Sequence, residues 1–316
     1  MISEWYREPI STLEKTLRVP YFIKHSTLLF LSRLLPIWAT WSIGLTLLSK
    51  NFLVSILLGF VFTFIVEMII VRKWLLTKII PRHMQNLKEV KDKYSQMGNL
   101  SAERLSLEVE KCIDLSAWGI VNIAYAAPQS WGWEIIFKLI FPFLVKTASI
   151  KPTDLLIGFK NKTVESDQFL WKVANENNSK RQQSMLQKYM ELYGSRTDDV
   201  DLAKPTLREK TATIQSLINL YKSIVSPQER QKNIKKLREK ATNLSLVNLR
   251  IPKRYFLSFL SLVQKNVQLR EDRRFYEFVM DYYIRQMILR LNKILNLDNG
   301  IIFSTPWDEI KKAVHH

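Results

Sequence analysis

The stretch FLVSILLGFVFTFIVEMIIV, residues Phe52–Val71, is apolar throughout except for one charged residue, Glu67. A helix of about twenty apolar residues is long enough to cross the hydrocarbon core of a lipid bilayer. This stretch therefore predicts a membrane-spanning helix near the N-terminus, and it separates the chain into two regions of different character.

A second apolar stretch precedes the first along the chain. Residues Thr27–Leu48 read TLLFLSRLLPIWATWSIGLTLL and are interrupted by Arg33 and Pro36. Only the short polar turn SKN, at 49–51, separates the two stretches. Because helices joined by so short a turn run antiparallel, the two stretches predict a membrane-inserted helical hairpin.

Basic residues flank both ends of the predicted hairpin, whereas its turn carries only Lys50. The positive-inside rule then places both termini and the rest of the chain on the cytoplasmic side of the membrane. The flanking bases are Lys15, Arg18, Lys24, Arg72, Lys73 and Lys78. The alternative is a hairpin buried inside a large helical domain. Arg33 and Glu67 favour that alternative, because charges within a bilayer are energetically costly.

The remainder of the chain, residues 84–316, predicts a multi-helix domain that follows the hairpin region at 1–83. Only eight glycines and eleven prolines occur in 316 residues, and the commonest residue types are good helix formers. The pair Ser226-Pro227 is typical of a helix start, and Gly194 is typical of a helix end. The segment Tyr255–Leu297 is expected to be almost entirely helical and to end at Gly300. The predicted fold class is all-α.

A third apolar segment, Trp131–Val145, reads WGWEIIFKLIFPFLV. It is too short and too charged to span a bilayer. Its tryptophans and Lys138 suit a helix that lies at a membrane interface. Packing in the core of the helical domain is at least as compatible with the pattern.

The motifs of common enzyme classes are missing from the sequence. Neither GxxxxGK[ST] nor GxGxxG occurs, so no glycine-rich phosphate loop is expected. None of the four histidines has the spacing of a metal ligand. The single cysteine, Cys112, excludes an internal disulfide and is typical of a packed core residue. We therefore expect this chain to bind no cofactor of its own.

The polar residues of the last third form a charged stripe. Arg270, Arg274, Asp281 and Arg285 recur at helical spacing. Arginines four positions apart repel each other unless an anion or a carboxylate lies between them, and such a pair can bind a phosphate through forked hydrogen bonds. On spacing alone, a solvated helix face with Asp281 and Glu277 as counter-charges is the stronger interpretation.

A second polar cluster, YGSRTDDVD at 193–201, contains three carboxylates within four residues. A cation site is one interpretation of this pattern. Cation-binding loops, however, alternate their ligands more regularly and end in a glutamate. The segment is more typical of a loop that supplies helix caps and turns.

Four segments of the chain resemble the central domain of the phosphoenolpyruvate synthase / rifampicin phosphotransferase family. They occur in the order in which that family has them, and together they cover roughly residues 87–313. The segments are LLIGFKNKTVESDQFLWKVA (155–174), YGSRTDDVDLAKPTLRE (193–209), LREDRRF (269–275) and IIFSTPWDEI (301–310).

The resemblance implies which residues bind the substrate. Members of that family combine an ATP-grasp domain, a helical central domain that receives the acceptor, and a swivelling phosphohistidine domain; this chain resembles only the central one. The resemblance places Arg270 and Arg274 near the transferred phosphate. It also places Arg196 in a turn where Ser195 stands instead of the family's histidine. The residues predicted to bind substrate or phosphate are Arg270, Arg274, Arg285, Asp281 and Arg196.

These observations lead to one preferred hypothesis and two alternatives. The preferred hypothesis is a membrane-attached subunit of a split phosphotransferase, which binds a lipophilic acceptor and has no activity alone. A separate chain would supply ATP and the phosphohistidine. The first alternative is a non-enzymatic membrane adaptor. The second, nucleic-acid binding, rests only on the net charge of +18; the bases are dispersed among acids, and no nucleic-acid-binding motif is visible.

Overall fold

The computed structural model describes residues 10–49, 54–56, 58–59, 66, 70–146, 149–195, 201–298 and 300–315. Within these ranges the regular structure is helical, which confirms the all-α fold class, and one isolated antiparallel bridge joins Val145 to Leu249. The α-helices described are α1 (Val19–Leu29), α2 (Leu35–Ser49), α3 (Ile80–Gln96), α4 (Ala102–Ala124), α5 (Ala126–Leu144), α6 (Lys162–Ala174), α7 (Ser179–Tyr193), α8 (Thr211–Ser223), α9 (Pro227–Val247), α10 (Lys253–Glu277), α11 (Asp281–Ile294), α12 (Ile301–Ser304) and α13 (Trp307–His315).

Helix ends follow the local signals of the sequence. The Ser226 hydroxyl accepts a hydrogen bond from the backbone N–H of Gln228 at 3.2 Å, and Pro227 is the first residue of α9. Helix α7 ends at Tyr193, directly before Gly194. Both predictions are confirmed, because caps depend on residues that are adjacent in sequence.

The chain packs as two compact units. Unit 1 comprises Met1–Ala124, Gly194–Lys210 and Tyr276–His316, and unit 2 comprises Tyr125–Tyr193 and Thr211–Phe275. These bounds differ from the boundary at residue 83 that the sequence pattern indicates.

The prediction that Tyr255–Leu297 is almost entirely helical is confirmed, but two helices cover the segment instead of one. Helix α10 ends at Glu277, and α11 begins at Asp281. The break falls where the chain passes from unit 2 into unit 1 and where Val279 and Met280 become buried. The periodicity of the segment does not reveal this break, because the burial of these two side chains depends on the tertiary structure.

In unit 1, α4 is the central helix, and α1, α3, α11 and α13 all pack against it. Gly119 of α4 faces the ring of His83, which fills the space that a side chain at Gly119 would occupy. The Nε2 of the fully buried His83 lies 2.9 Å from the carbonyl oxygen of Tyr276. This contact ties the start of α3 to the segment that precedes α11.

Unit 2 has its own aromatic core between α5 and α10. Phe137 and Phe141 of α5 are buried together with Phe256 of α10. The ring of Phe259 lies 5.8 Å from that of Phe137 and 5.9 Å from that of Trp133, between ring centroids. The inner face of α5 therefore packs in the core. This is one of the two interpretations of Trp131–Val145 that the sequence offers; the other is a helix at a membrane interface.

The membrane hairpin predicted over Thr27–Leu48 and Phe52–Val71 is not confirmed. Over the described ranges, no helix combines the length and the apolarity needed to cross a bilayer. Most of the second stretch, Glu67 included, lies outside the described residues, as does the side chain of Arg33. Arg18, which the sequence counts among the basic flank, is fully buried, so it does not contribute an exposed positive charge there.

Candidate functional site

A groove of about 510 Å³ runs between α5 and α10 of unit 2. Helix α5 lines it with residues spaced three and four apart, and α10 lines it with residues of its last two turns. Such spacing places side chains on one face of each helix. The lining residues are Trp131, Glu134, Ile135 and Lys138 from α5, and Arg270, Glu271, Arg273 and Arg274 from α10.

Glu134 organises the positive charges of the groove. Its carboxylate accepts a hydrogen bond from Lys138 Nζ at 2.7 Å and another from Arg270 Nη1 at 2.9 Å. Burial opposes ionisation of this carboxyl group, but the hydrogen bonds from Lys138 and Arg270 hold the pKa of Glu134 below its usual value. The ionised Glu134 therefore fixes Arg270 in place.

Arg270 has a second carboxylate partner, because its Nε lies 3.3 Å from Oε1 of Glu271. Only 19% of its side chain is exposed. Arg274, one helical turn further on, is exposed and makes no ion pair within the part of the chain that the structure describes. Of the three arginines that line the groove, Arg270 is anchored by carboxylates and Arg274 has a guanidinium that is open to a ligand.

The charge balance of the groove is positive. Four cationic side chains and two carboxylates line it, so ionic pairing among them leaves a net positive charge. Trp131 and Ile135 supply apolar surface on the same wall as Lys138. Guanidinium groups beside an aromatic and an aliphatic side chain suit a ligand that joins an anionic group to an apolar one.

Asp281, another predicted site residue, is engaged in a buried ion pair of unit 1. Arg18 donates to both of its carboxylate oxygens, from Nη2 at 2.7 Å and from Nη1 at 3.3 Å. Burial pushes the pKa of Asp281 upward, and the Arg18 guanidinium opposes that shift. Asp281 is 3% exposed, so this side chain holds the turn before α1 against α11 and offers no free oxygen to a ligand.

Arg285 is also engaged within unit 1. Its Nε donates to Oε1 of Glu209 at 2.9 Å, and its Nη1 donates to the carbonyl oxygen of Leu202 at 2.6 Å. The guanidinium packs over the ring of Phe303. These contacts attach the segment around residues 202–209 to α11, which is a structural role.

The structure therefore brings two of the five predicted residues, Arg270 and Arg274, together in one groove. Arg196 lies outside the described residues. Asp281 and Arg285 stand on a different helix from the other two, because the predicted stripe is broken after Glu277.

The polar cluster at 193–201 is structural where the structure describes it. Asp201 is buried and accepts hydrogen bonds from the backbone N–H of Ser11 at 2.6 Å and from the Ser11 hydroxyl at 2.8 Å. It also accepts one from the N–H of Ala203 at 2.8 Å. Asp198 and Asp199 lie outside the described residues. Among those that are described, no group of three or more metal-binding side chains occurs.

The sequence missed Glu134 as a site residue. Glu134 and Lys138 are four positions apart, which indicates an ion pair along a helix, but such pairs are common on solvated helix faces. Only the packing of α5 beside α10 shows that Arg270 joins the pair. Cys112 is fully buried, which confirms the prediction of a packed core cysteine, and this burial raises the pKa of its thiol to about 12.

Over its described residues, the fold and the groove define an all-helical chain with a cationic, tryptophan-lined cleft. No protein-family model matches the chain, and no curated protein matches it in sequence.

Proposed function

We propose that this chain is the acceptor-binding subunit of a split phosphotransferase that resembles phosphoenolpyruvate synthase. The groove between α5 and α10 carries this proposal, because Arg270 and Arg274 line it together beside Trp131 and Lys138. Arg274 receives a phosphoryl or other anionic group, while Arg270 stays paired with Glu134. A separate chain supplies ATP and the phosphohistidine, and the acceptor is lipophilic.

Trp131 and Ile135 support the lipophilic character of the acceptor. Their side chains are 48% and 56% exposed, respectively. An apolar group bound beside them would remove this surface from water, at a gain of roughly 25 cal/mol per Å². Because its guanidinium can make forked hydrogen bonds to phosphate oxygens, Arg274 orients the anionic end of the same ligand.

Attachment to the membrane through the apolar hairpin is part of the proposal. The ideal β-carbon position of Gly59 lies 3.2 Å from the Cα of Ser42, and the two residues are nearly equidistant along the chain from the turn predicted at 49–51. Such close contact through small residues is typical of helices in membranes. Several large apolar side chains of the predicted hairpin are exposed, namely Leu28, Phe30, Leu31, Ile43, Val54 and Leu58.

We predict that Arg274→Gln weakens the binding of phenyl phosphate about tenfold or more, since a hydrogen bond to a charged group contributes about 1.5–3 kcal/mol. Phenyl phosphate is a suitable probe because it joins a phosphate to an apolar ring. Isothermal titration calorimetry on the purified full chain measures the affinity.

Lys265→Gln is the matched control, because Lys265 is an exposed base on the same helix and does not line the groove. Its affinity for phenyl phosphate should equal that of the unchanged protein. If both variants bind equally well, or if the unchanged protein does not bind phenyl phosphate, the groove is not the phosphate site.

The partner is tested by a pull-down from detergent-solubilised membranes, with bound proteins identified by mass spectrometry. We expect a chain with an ATP-grasp or a phosphohistidine domain to be recovered in stoichiometric amount. Recovery of the protein from membranes without such a chain would favour the non-enzymatic adaptor. Phosphorylation of any acceptor by this chain unaided would contradict the proposal directly.

A further inference from the structure

The outer face of α5 carries a row of exposed large apolar side chains. Trp131, Ile135, Leu139 and Phe143 follow one another at intervals of four residues and are 48%, 56%, 66% and 73% exposed. Residues at this spacing lie above one another along one side of a helix. The row starts in the groove and continues past it to the end of α5.

The opposite face of α5 already occupies the core of unit 2. Phe137 and Phe141 are 0% and 3% exposed there. Helix α5 is therefore apolar on two faces, and only one of them is needed to hold the unit together. Exposed apolar surface of this extent on a helix is typical of a docking surface.

The far end of the row meets a second exposed apolar segment. The backbone N–H of Arg250 donates to the carbonyl oxygen of Leu144 at 2.8 Å, which ties the end of α5 to the link between α9 and α10. Val247, the last residue of α9, is 84% exposed, and Tyr255, in the first turn of α10, is 55% exposed.

The charged residues of the two sequence segments that form most of this apolar surface are all basic. The sequence contains no Asp or Glu between Ile135 and Thr153, or between Ala241 and Leu269. Two carboxylates lie beside the start of the row: Glu134 is already paired with Lys138 and Arg270, and Glu271 is paired with Arg270. The basic residues of the two segments are Lys138, Lys146, Lys151, Arg250, Lys253, Arg254 and Lys265.

We propose that the outer face of α5, with the basic link after α9, docks onto the surface of an anionic lipid bilayer. Aromatic and aliphatic side chains enter the boundary between headgroups and acyl chains, and the surrounding bases contact anionic headgroups. A nucleic acid would match the bases but would offer little apolar surface to Leu139 and Phe143. The proposal depends neither on a ligand in the groove nor on insertion of the hairpin.

A fluorescent label placed at the end of the row tests the proposal. The full chain carrying Phe143→Cys is labelled with an environment-sensitive nitrobenzoxadiazole dye. The native Cys112 is fully buried, so the new cysteine reacts selectively. The labelled chain is then reconstituted with vesicles of phosphatidylcholine, either alone or mixed with phosphatidylglycerol.

We expect the label at position 143 to shift to the blue and to brighten about twofold or more in the anionic vesicles, as it enters an apolar environment. The change should be much smaller with phosphatidylcholine alone and should diminish at high salt. The control is the same label at Leu220→Cys on α8, a position 53% exposed on a helix that packs on α6; its emission should stay constant.

A second pair of variants tests whether the basic residues contribute to lipid binding. Arg250→Gln and Lys253→Gln should each weaken the response of the label at position 143 to anionic vesicles about fivefold. Arg274→Gln should leave that response unchanged, so failure of the groove proposal and failure of this one are distinguishable.

Three results would overturn the inference. The first is an equal response at positions 143 and 220. The second is an unchanged label at position 143 in anionic vesicles. The third is a response at position 143 without lipid, either on addition of duplex DNA or on raising the protein concentration, which would point to a nucleic acid or to a second copy of the chain.

Discussion

Replacing Arg18 by methionine is expected to lower the free energy of unfolding by about 3–5 kcal/mol, the usual cost of removing one partner from a buried ion pair. Arg18 is completely buried, bonds both oxygens of Asp281, and lies 3.7 Å from Glu14. Without the guanidinium, the carboxylate of Asp281 would remain in the core of unit 1 without a counter-charge. Denaturant unfolding followed by circular dichroism measures the loss.

The control is Lys24→Met, which removes a base from α1, the helix that directly follows Arg18. Lys24 pairs with Asp114 at 2.8 Å, but its side chain is 51% exposed, so this change should cost at most about 1 kcal/mol. The double variant Arg18→Met with Asp281→Leu should recover part of the stability, because the carboxylate of Asp281 is removed together with its partner, whereas the buried Glu14 still loses the guanidinium of Arg18. Equal losses for Arg18→Met and Lys24→Met would show that the buried pair is not what stabilises the turn before α1 against α11.

Acidification is expected to remove about 3 kcal/mol of stability through His83 as the pH falls from about 6.5 to 4, since each unit of pKa shift corresponds to about 1.4 kcal/mol. Burial lowers the pKa of His83 to about 4, and its hydrogen bond to the carbonyl of Tyr276 only partly opposes this effect. Within the described residues, its Nδ1 is buried without a hydrogen-bond partner, so a second ring proton would be unsatisfied.

The sign of this pH effect follows from the number of protons that His83 binds in the folded and in the unfolded state. Between pH 6.5 and 4 the unfolded histidine is protonated and the folded one is neutral, so the unfolded state binds more protons and stability rises with pH. The stabilising contribution is fully present above pH 6.5 and is lost as the pH approaches 4. Unfolding free energies of the unchanged protein and of His83→Gln, measured across this range, isolate the effect.

His315→Gln is the control for this experiment, because His315 is exposed near the end of α13. Its pH dependence should match that of the unchanged protein, whereas His83→Gln should show a flatter curve. If the curves of all three proteins are parallel, the buried imidazole does not govern the acid sensitivity.

Part of the candidate site could be predicted from the sequence. Arg270 and Arg274 are one helical turn apart, and that local relation was enough to place them on one wall of the groove. The partners that define the groove could not be predicted this way: Glu134 lies more than a hundred positions earlier, and only the packing of α5 beside α10 brings it to Arg270.

The same limit explains the roles of Asp281 and Arg285. Both have the spacing of a charged stripe, yet each is bound to a residue that is distant in sequence, Arg18 and Glu209 respectively. Spacing along a helix shows which side chains share a face, but it does not show what that face contacts.

The sequence by itself determined the all-α class, the end of α7, the cap of α9 and the burial of Cys112, because helix propensity, capping and apolar character act over a few neighbouring residues. Tertiary structure alone decided where α10 ends, which arginines are paired, and that α5 has one apolar face in the core and another exposed. Those outcomes depend on contacts between segments far apart in the chain, whose free energies no local pattern contains.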